Sequence, residues 1–251
     1  MTMRRLLPIA TQTKDHLRNI RAFEAREVMA LFGNSKDILE VGAGDGYQSS
    51  IFASSGYRVK AIDIPPSTND PNYTSYSELR KHRYYTVDDY DGLHIPFNDM
   101  TFDIVYSSNV LEHIRDKSIL LSEMKRVLRG SGSMIHVLPN ARWRILSTAT
   151  HFYKNLALMI PFEAPHRHGE IGSHLTEIYY FSDYWWTREF KRHGFSLTIK
   201  KHNRLFYSGE CILDKKLSTK TRALLAKLFG SSCTIYQLKY AFEKQNFLSY
   251  I

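Results

Sequence analysis

The chain has little cysteine: Cys211 and Cys233 are the two among 251 residues. That is too few for a disulfide scaffold or a cysteine-rich metal module, and it fits a reducing compartment. No apolar run approaches the ~18 residues of a membrane span. Met1 to Pro8 holds two arginines and a short apolar patch. It lacks the long apolar core and cleavage signature of a secretory leader, and it reads as mature sequence. There are no internal repeats and no low-complexity segments, which excludes solenoid and disordered classes. Negative charge is also short: 25 acidic residues face 34 lysines and arginines, a formal net charge of +9. The excess invites an anionic partner: nucleic acid, a phosphorylated or nucleotide-linked substrate, or an acidic membrane surface. The plain alternative is a solvated basic surface, since the clusters at Lys200-Lys201-His202-Asn203-Arg204 and Lys215-Lys216 are modest. Hydrophobic content of 43% and charged content of 24% are those of a globular protein able to bury one sizeable core.

What is present begins with Ile38 to Gly46, an apolar run, the acid Glu40, then Gly42-Ala43-Gly44-Asp45-Gly46. This reads as a buried strand entering a tight turn in which glycines let a ligand approach the backbone. A second apolar segment, Arg58 to Ile62, ends at Asp63. An acid at the end of the second strand of a doubly wound sheet accepts hydrogen bonds from ribose hydroxyls. The two segments describe a pocket for an adenosine-containing cofactor. A pyrophosphate is disfavoured. The last small position of the dinucleotide pattern is Tyr47, and Glu40 would repel phosphate. An acid there suits a cationic amino-acid tail, as in S-adenosylmethionine, which carries an ammonium, a sulfonium and an adenosine.

With its companions the turn resembles the class I, seven-strand S-adenosylmethionine-dependent methyltransferases. Ile95-Pro96-Phe97 leading to Phe102-Asp103-Ile104-Val105, then Val110-Leu111-Glu112-His113-Ile114, then Glu123 to Gly132 follow in the order of that family's passages. The resemblance covers Asp37 to Asn140. More loosely, Trp143 and the His-Gly-Glu text at 168–170 are similar to a subgroup associated with bacterial surface-polysaccharide synthesis.

The expected fold is α/β: a doubly wound, mostly parallel seven-stranded sheet with helices on both faces. Strands are expected at Ile38–Val41, Arg58–Ile62, Tyr84–Val87, Phe102–Ser107, Ser133–Leu138, Ser196–Lys200 and Thr234–Tyr240. Helices are expected at Asp15–Phe32, Tyr47–Ser55, Ser118–Leu128 and Asp183–His193. The resemblance implies that the last strand inserts antiparallel. The whole of 1–251 reads as a single domain, with 1–36 as a helical cover of the cofactor edge and 141–178 as a lid or acceptor insertion.

For the cofactor the candidates are Glu40, Gly42, Ala43, Gly44, Gly46, Asp63 and Ile64. Asp88 or Asp91 is the candidate on the adenine side, and Ser107 and Asn109 at the carboxyl end of the fourth strand. His113 is a candidate base, with loop orientation as its alternative. The segment Pro165 to Glu177 concentrates His166, His168, His174, Arg167, Glu170 and Glu177, which suits proton transfer near neutral pH in an acceptor lid. No helix-borne zinc motif is present, and no metal is expected. The apolar stretch His151 to Phe162 reads as core, an acceptor pocket or a membrane-surface segment. The expected function is S-adenosylmethionine-dependent methyl transfer to a small molecule or a sugar or glycan, anionic or lipid-linked, with O-methylation favoured. The expected place is the cytoplasm, with peripheral contact at the inner membrane face allowed by the charge. RNA methylation is the first competitor, although no RNA-binding module is appended and the place of the Asn-Pro-Pro-Tyr signature reads Ser107-Ser108-Asn109-Val110. A non-catalytic partner that keeps the fold is the second.

Overall fold

The computed structural model describes residues 9–66, 80–82, 85–159, 161, 164–208 and 217–240. Met1 to Pro8, the loop from Ser67 to Pro71, Tyr84, Phe162, Cys211 and Lys215-Lys216 lie outside the described residues. Along the chain run α1 (Ile9–Met29), β1 (Asp37–Val41), α2 (Tyr47–Ser54), β2 (Arg58–Asp63), β3 (Lys81–His82), β4 (Tyr85–Asp89) and β5 (Phe102–Ser108). There follow a 3-10 turn (Leu111–His113), α3 (Ser118–Val127), β6 (Leu128–Pro139), α4 (Ala141–Ala157), α5 (Glu177–Tyr180), α6 (Asp183–Arg192), β7 (Phe195–His202), α7 (Thr219–Phe229) and β8 (Cys233–Tyr240).

The strands form one sheet in the order β3-β4-β2-β1-β5-β6-β8-β7. The pairs β4·β2, β2·β1, β1·β5 and β5·β6 are parallel, while β8 lies antiparallel between β6 and β7. The expected seven strands are all present, with the last inserted antiparallel. The two-residue β3, antiparallel to β4, is an added edge piece.

Alternation along the central strands divides the core into two layers, because successive side chains of a strand point to opposite faces. Leu39, Val41 and Val105 join Leu120, Leu121 and Met124 of α3 and Trp186 and Phe190 of α6. Ile38, Ile104, Tyr106, Ile135 and Val137 join Ala25 and Val28 of α1 and Phe52 of α2. Both faces of β1 and β5 are therefore buried, as parallel strands require. Helix starts are capped from the sequence: Asn140 accepts from the Trp143 N–H at 3.0 Å and Ser182 from the Trp185 N–H at 3.1 Å.

Three expectations need amending. Helix α1 begins at Ile9, well before Asp15. Strand β6 starts at Leu128 and carries Gly130-Ser131-Gly132 inside it, where a turn was expected; the irregular pairing between Phe102 and Ile104 absorbs the extra residues. Helices α4 and α7 and the short α5 were not foreseen.

Candidate active site

The register Val41↔Ile62 brings the end of β1 level with the end of β2. The chain then leaves the sheet through Gly42, whose N–H donates to the Ile62 carbonyl at 2.9 Å. Gly42 and Gly46 both have φ of 74°, in the left-handed region. A Cβ on Gly42 would lie 2.2 Å from Val110 Cγ2, and one on Gly46 would lie 2.3 Å from the Tyr85 ring. A side chain at either position would strain the backbone and displace its neighbour. Ala43 packs with Ala61, Tyr85 and Val87 beneath the turn.

Asp63 clasps the turn from β2. Its carboxylate accepts from the Gly44 N–H and, at 2.7 Å, from the Ile64 N–H. Burial raises its pKa. Ile64 beside it is 57% exposed, an apolar surface at the mouth of the pocket. Glu40 is buried at the root of the turn, where the Ser49 hydroxyl donates to it. Burial pushes its carboxyl up to about 8, so a nearby cation would restore its charge.

Arg21 and Glu24, which the sequence reading missed, complete this half together with the expected Asn109. Arg21 of α1 donates to Glu24 at 2.6 Å and to the Ser108 hydroxyl at 2.9 Å. With its amide oxygen turned toward the guanidinium, Asn109 accepts from Arg21 at 2.5 and 3.1 Å. Asn109 itself holds a φ of 54°, so the chain leaves β5 through a conformation that a non-glycine residue rarely adopts. The signal was present: Ile20, Glu24, Val28 and Phe32 are all buried one turn apart. A carboxylate in an apolar row at that spacing marks a buried ion pair.

Other candidates fall elsewhere. Ser107 is a correction: it is fully buried, and its hydroxyl is 2.8 Å from Nδ1 of His136, which stacks on Phe190 inside the sheet layer. Asp91 lies on the loop after β4. It caps its own loop, accepting from the Leu93 and His94 N–H groups at 2.7 Å each and facing His94 Nδ1 at 2.6 Å. Asp88 stands exposed on β4 opposite Ile62, one residue short of the end of β2.

The second half forms beyond β5. The 3-10 turn presents Glu112 and His113, and the loop before α5 brings His168 to them. The two imidazole centroids are 4.8 Å apart, and His168 lies 4.6 Å from the Trp143 ring. Glu112 is buried, and its Oε1 is 3.9 Å from Nε2 of each histidine. Burial pushes Glu112 up to about 8, lowers His113 and takes His168 down to about 4. The loop is held by Glu177, which accepts from the His168 and Gly169 N–H groups at 2.6 Å each and pairs with Arg144 at 3.1 Å. Arg144 also donates to the carbonyls of His174 (2.9 Å) and His166 (3.1 Å). Gly169 lets the loop lie on the turn, since a Cβ there would be 3.0 Å from the Glu112 carbonyl. The His166 side chain does not join this centre. It is exposed and lines an adjoining cavity of about 260 Å³ with Trp143, Ser147, His151 and His168.

The basic cluster along and just beyond β7 meets acids of the chain itself. Lys200 pairs with Asp183 at 3.3 Å, Lys201 with Glu27 at 3.5 Å, and Arg204 with Glu27. Among the described residues no helix is long and apolar enough to cross a membrane.

Residues 39–136 match the model of a methyltransferase domain family. A protein of Mycobacterium tuberculosis named as a probable S-adenosylmethionine-dependent methyltransferase is 32% identical over 108 residues, covering 42% of this chain and 36% of that protein. An uncharacterized protein of Methanocaldococcus jannaschii is 30% identical over 109 residues, covering 43% and 44%. The chain thus spans less than half the length of these relatives. In fold it is similar to an S-adenosylmethionine-dependent methyltransferase of Aquifex aeolicus, with a TM-score of 0.53, 14% identity, and coverage of 87% of this chain and 90% of that one. It is also similar to a geranyl diphosphate C-methyltransferase of Streptomyces coelicolor, with a TM-score of 0.52, 13% identity, and coverage of 86% and 76%. The glycopeptide N-methyltransferase MtfA gives a TM-score of 0.53 at 15% identity, with coverage of 88% and 90%. The architecture is the methyltransferase fold, and the glycine turn and Asp63 lie inside the stretch matched by the family model.

Proposed function

We propose that this chain transfers the methyl group of S-adenosylmethionine to a hydroxyl of a small-molecule acceptor, with sugars and glycans as the favoured class. The observation that carries the reading is the glycine turn clasped by Asp63 with the Glu112, His113 and His168 centre set beyond β5. A cofactor cradle and a pair of neutral imidazoles thus meet at the carboxyl edge of one sheet. When bound, S-adenosylmethionine supplies an electrophilic methyl group on sulfur. Asp63 has lone pairs left to accept from ribose hydroxyls, and Ile64 offers an apolar face for the adenine. Glu40 suits the ammonium of the amino-acid tail and Arg21 its carboxylate. Asp88 is the remaining candidate on the adenine side.

Methyl transfer chiefly needs donor and acceptor held in line at close range. A hydroxyl acceptor also needs its proton taken. His113 and His168 are held neutral by burial and face the same point. The cavity beside them, with Trp143 as an apolar wall and His166 at its rim, is sized for a small acceptor. The structural neighbours that act on a glycopeptide and on geranyl diphosphate lend support to a small-molecule acceptor. In this reading the protein works in the cytoplasm as a single catalytic unit. Exposed Leu156, Leu158 and Met159 beyond the cavity would meet a lipid-linked acceptor at a membrane surface.

The test is calorimetric titration with S-adenosylmethionine and S-adenosylhomocysteine, comparing wild type with Asp63→Ala. Micromolar binding is expected in the wild type. Loss of one to two charged hydrogen bonds, each about 1.5–3 kcal/mol, predicts binding at least ~10-fold weaker in the variant. A folded wild type that binds neither compound would refute the proposal.

A further inference from the structure

Glu112 has a property that methyl transfer from a sulfonium does not by itself require. It is buried, yet neither carboxylate oxygen accepts a hydrogen bond among the described residues. A buried carboxylate without partners is costly, and native structures retain one where something else satisfies it. The groups that face it are imidazoles, with Nε2 of His113 and Nε2 of His168 each 3.9 Å from Oε1. One ligand atom from each of the three residues lies within 4.8 Å of the others. Two imidazoles and one carboxylate gathered on one side are the donor set of open zinc sites and of mononuclear iron sites.

We propose that Glu112, His113 and His168 bind one divalent transition-metal ion of the zinc class, whose open position takes the acceptor oxygen. At metal–ligand lengths of about 2.1 Å, tetrahedrally placed donors stand about 3.4 Å apart. The two 3.9 Å separations from Glu112 Oε1 therefore close by about half an ångström on binding, and the widest separation in the group, up to 4.8 Å, closes by up to about 1.4 Å. Rotation of the two half-exposed imidazoles provides that movement. The surroundings fix the remaining freedom. Glu177 anchors the backbone of His168, Trp143 packs on its ring, and the Glu170 N–H donates to the Glu112 carbonyl at 2.9 Å. The ion gives Glu112 the partner that it lacks.

The use of the ion rests on the methyltransferase reading; its binding does not. With the ion in place His113 and His168 are ligands and take no proton themselves; an acceptor hydroxyl bound to the metal gives up its proton to solvent more readily. The oxygen then forms a bond to the methyl carbon as the carbon–sulfur bond breaks. That electron pair stays on sulfur, leaving a neutral thioether. No electrons leave the system and no oxidant is needed.

The test uses the full chain, stripped with a chelator and titrated with Zn²⁺ by calorimetry, beside a titration of the same preparation with S-adenosylmethionine. The expected result is a single equivalent of Zn²⁺ at micromolar affinity or better. Binding should weaken at least ~100-fold in His168→Ala and in the isosteric Glu112→Gln. Zn²⁺ should raise the unfolding temperature of the wild type and of neither variant. Wild type that binds S-adenosylmethionine but takes up less than about a tenth of an equivalent of Zn²⁺ overturns the metal centre alone. Equal Zn²⁺ affinity in both folded variants overturns it too, by placing the ion elsewhere. Zn²⁺ binding without S-adenosylmethionine binding leaves the centre standing and removes the methyltransferase reading.

Discussion

Replacing Glu177 with alanine would take away the acceptor from which the lid hangs. One carboxylate oxygen receives two backbone N–H groups at 2.6 Å, and the other faces Arg144 at 3.1 Å. The side chains of Arg144 and Glu177 are 3% and 0% exposed. Removing one partner of a buried ion pair costs about 3–5 kcal/mol, because the other charge is left uncompensated. The two charged hydrogen bonds contribute on the same scale, about 1.5–3 kcal/mol each, but the loop can relax and admit water, so the effects do not add. The expected loss is therefore about 3–5 kcal/mol. In a domain of this size each kcal/mol shifts the unfolding temperature by about 2–4 °C, which predicts a fall of about 6–20 °C. Amide exchange over residues 165–177 should rise as well, since the lid would open before the sheet does. Combining Glu177→Leu with Arg144→Met should restore part of the loss by removing the stranded charge. Full recovery is not expected, because the N–H groups of His168 and Gly169 still lack an acceptor. A fall below ~2 °C with unchanged exchange would refute the view that this pair holds the lid.

Two further predictions concern the first half of the site and its base. Gly46→Ala should cost well over the ~1 kcal/mol of backbone strain at a positive φ, since its Cβ also meets the Tyr85 ring at 2.3 Å. Gly56→Ala, with φ of 90° and nothing within 4 Å of its Cβ, should cost about the strain alone; urea denaturation of the two variants measures the difference. Asp37 is held down to about 2, first by its bidentate contact with Arg58 and also by Arg129. A carboxylate whose folded pKa lies below its unfolded value stabilises the fold above that unfolded value, here about 4. The contribution is lost as the pH falls toward 2. Asp37→Asn should therefore show a shallower loss of stability across that acid range, and urea midpoints that fall as steeply as the wild type's would contradict the assignment.

The cofactor half of the site was legible because it is local. A strand, a glycine turn and an acid at the end of the next strand are adjacent in sequence or one βαβ unit apart, and the turn tolerates few other residues. The Glu112–His113–His168 centre joins two segments separated by α3, β6 and α4. Each segment drew notice for its own composition, but only the tertiary fold brings them together. Ser107 was misplaced because β5 is buried on both faces. A polar residue there can pair across strands within the layer, and period-two reasoning cannot tell which end of the side chain's environment is wet. Asp91 carried a readable signal, since an Asp-Gly pair followed by free N–H groups favours an Asx turn. Helix α7 escaped notice because Leu224, Leu228 and Phe229 are 59%, 70% and 58% exposed, so its apolar residues mark no core-facing stripe.

The basic charge gains a different meaning from the fold. Lys200, Lys201 and Arg204 invite an anionic partner when read in sequence, yet each meets an acid of the chain itself, and two of them meet Glu27 on α1. Three residues before Glu27, buried Glu24 accepts from Asn203 at 3.0 Å and from the Tyr207 hydroxyl at 2.9 Å, and its other oxygen holds Arg21. Arg21 in turn reaches Ser108 at the carboxyl end of β5. The densest basic cluster therefore fixes α1 against the far end of the sheet, and α1 so fixed delivers a guanidinium to the candidate cofactor pocket. Each of these cations would reach a nucleic-acid backbone only in competition with an acid of the chain, at about 0–1 kcal/mol per exposed pair. RNA methylation rests on the net charge of +9, which these pairs leave unchanged, whereas a small acceptor entering beside His168 asks nothing of them.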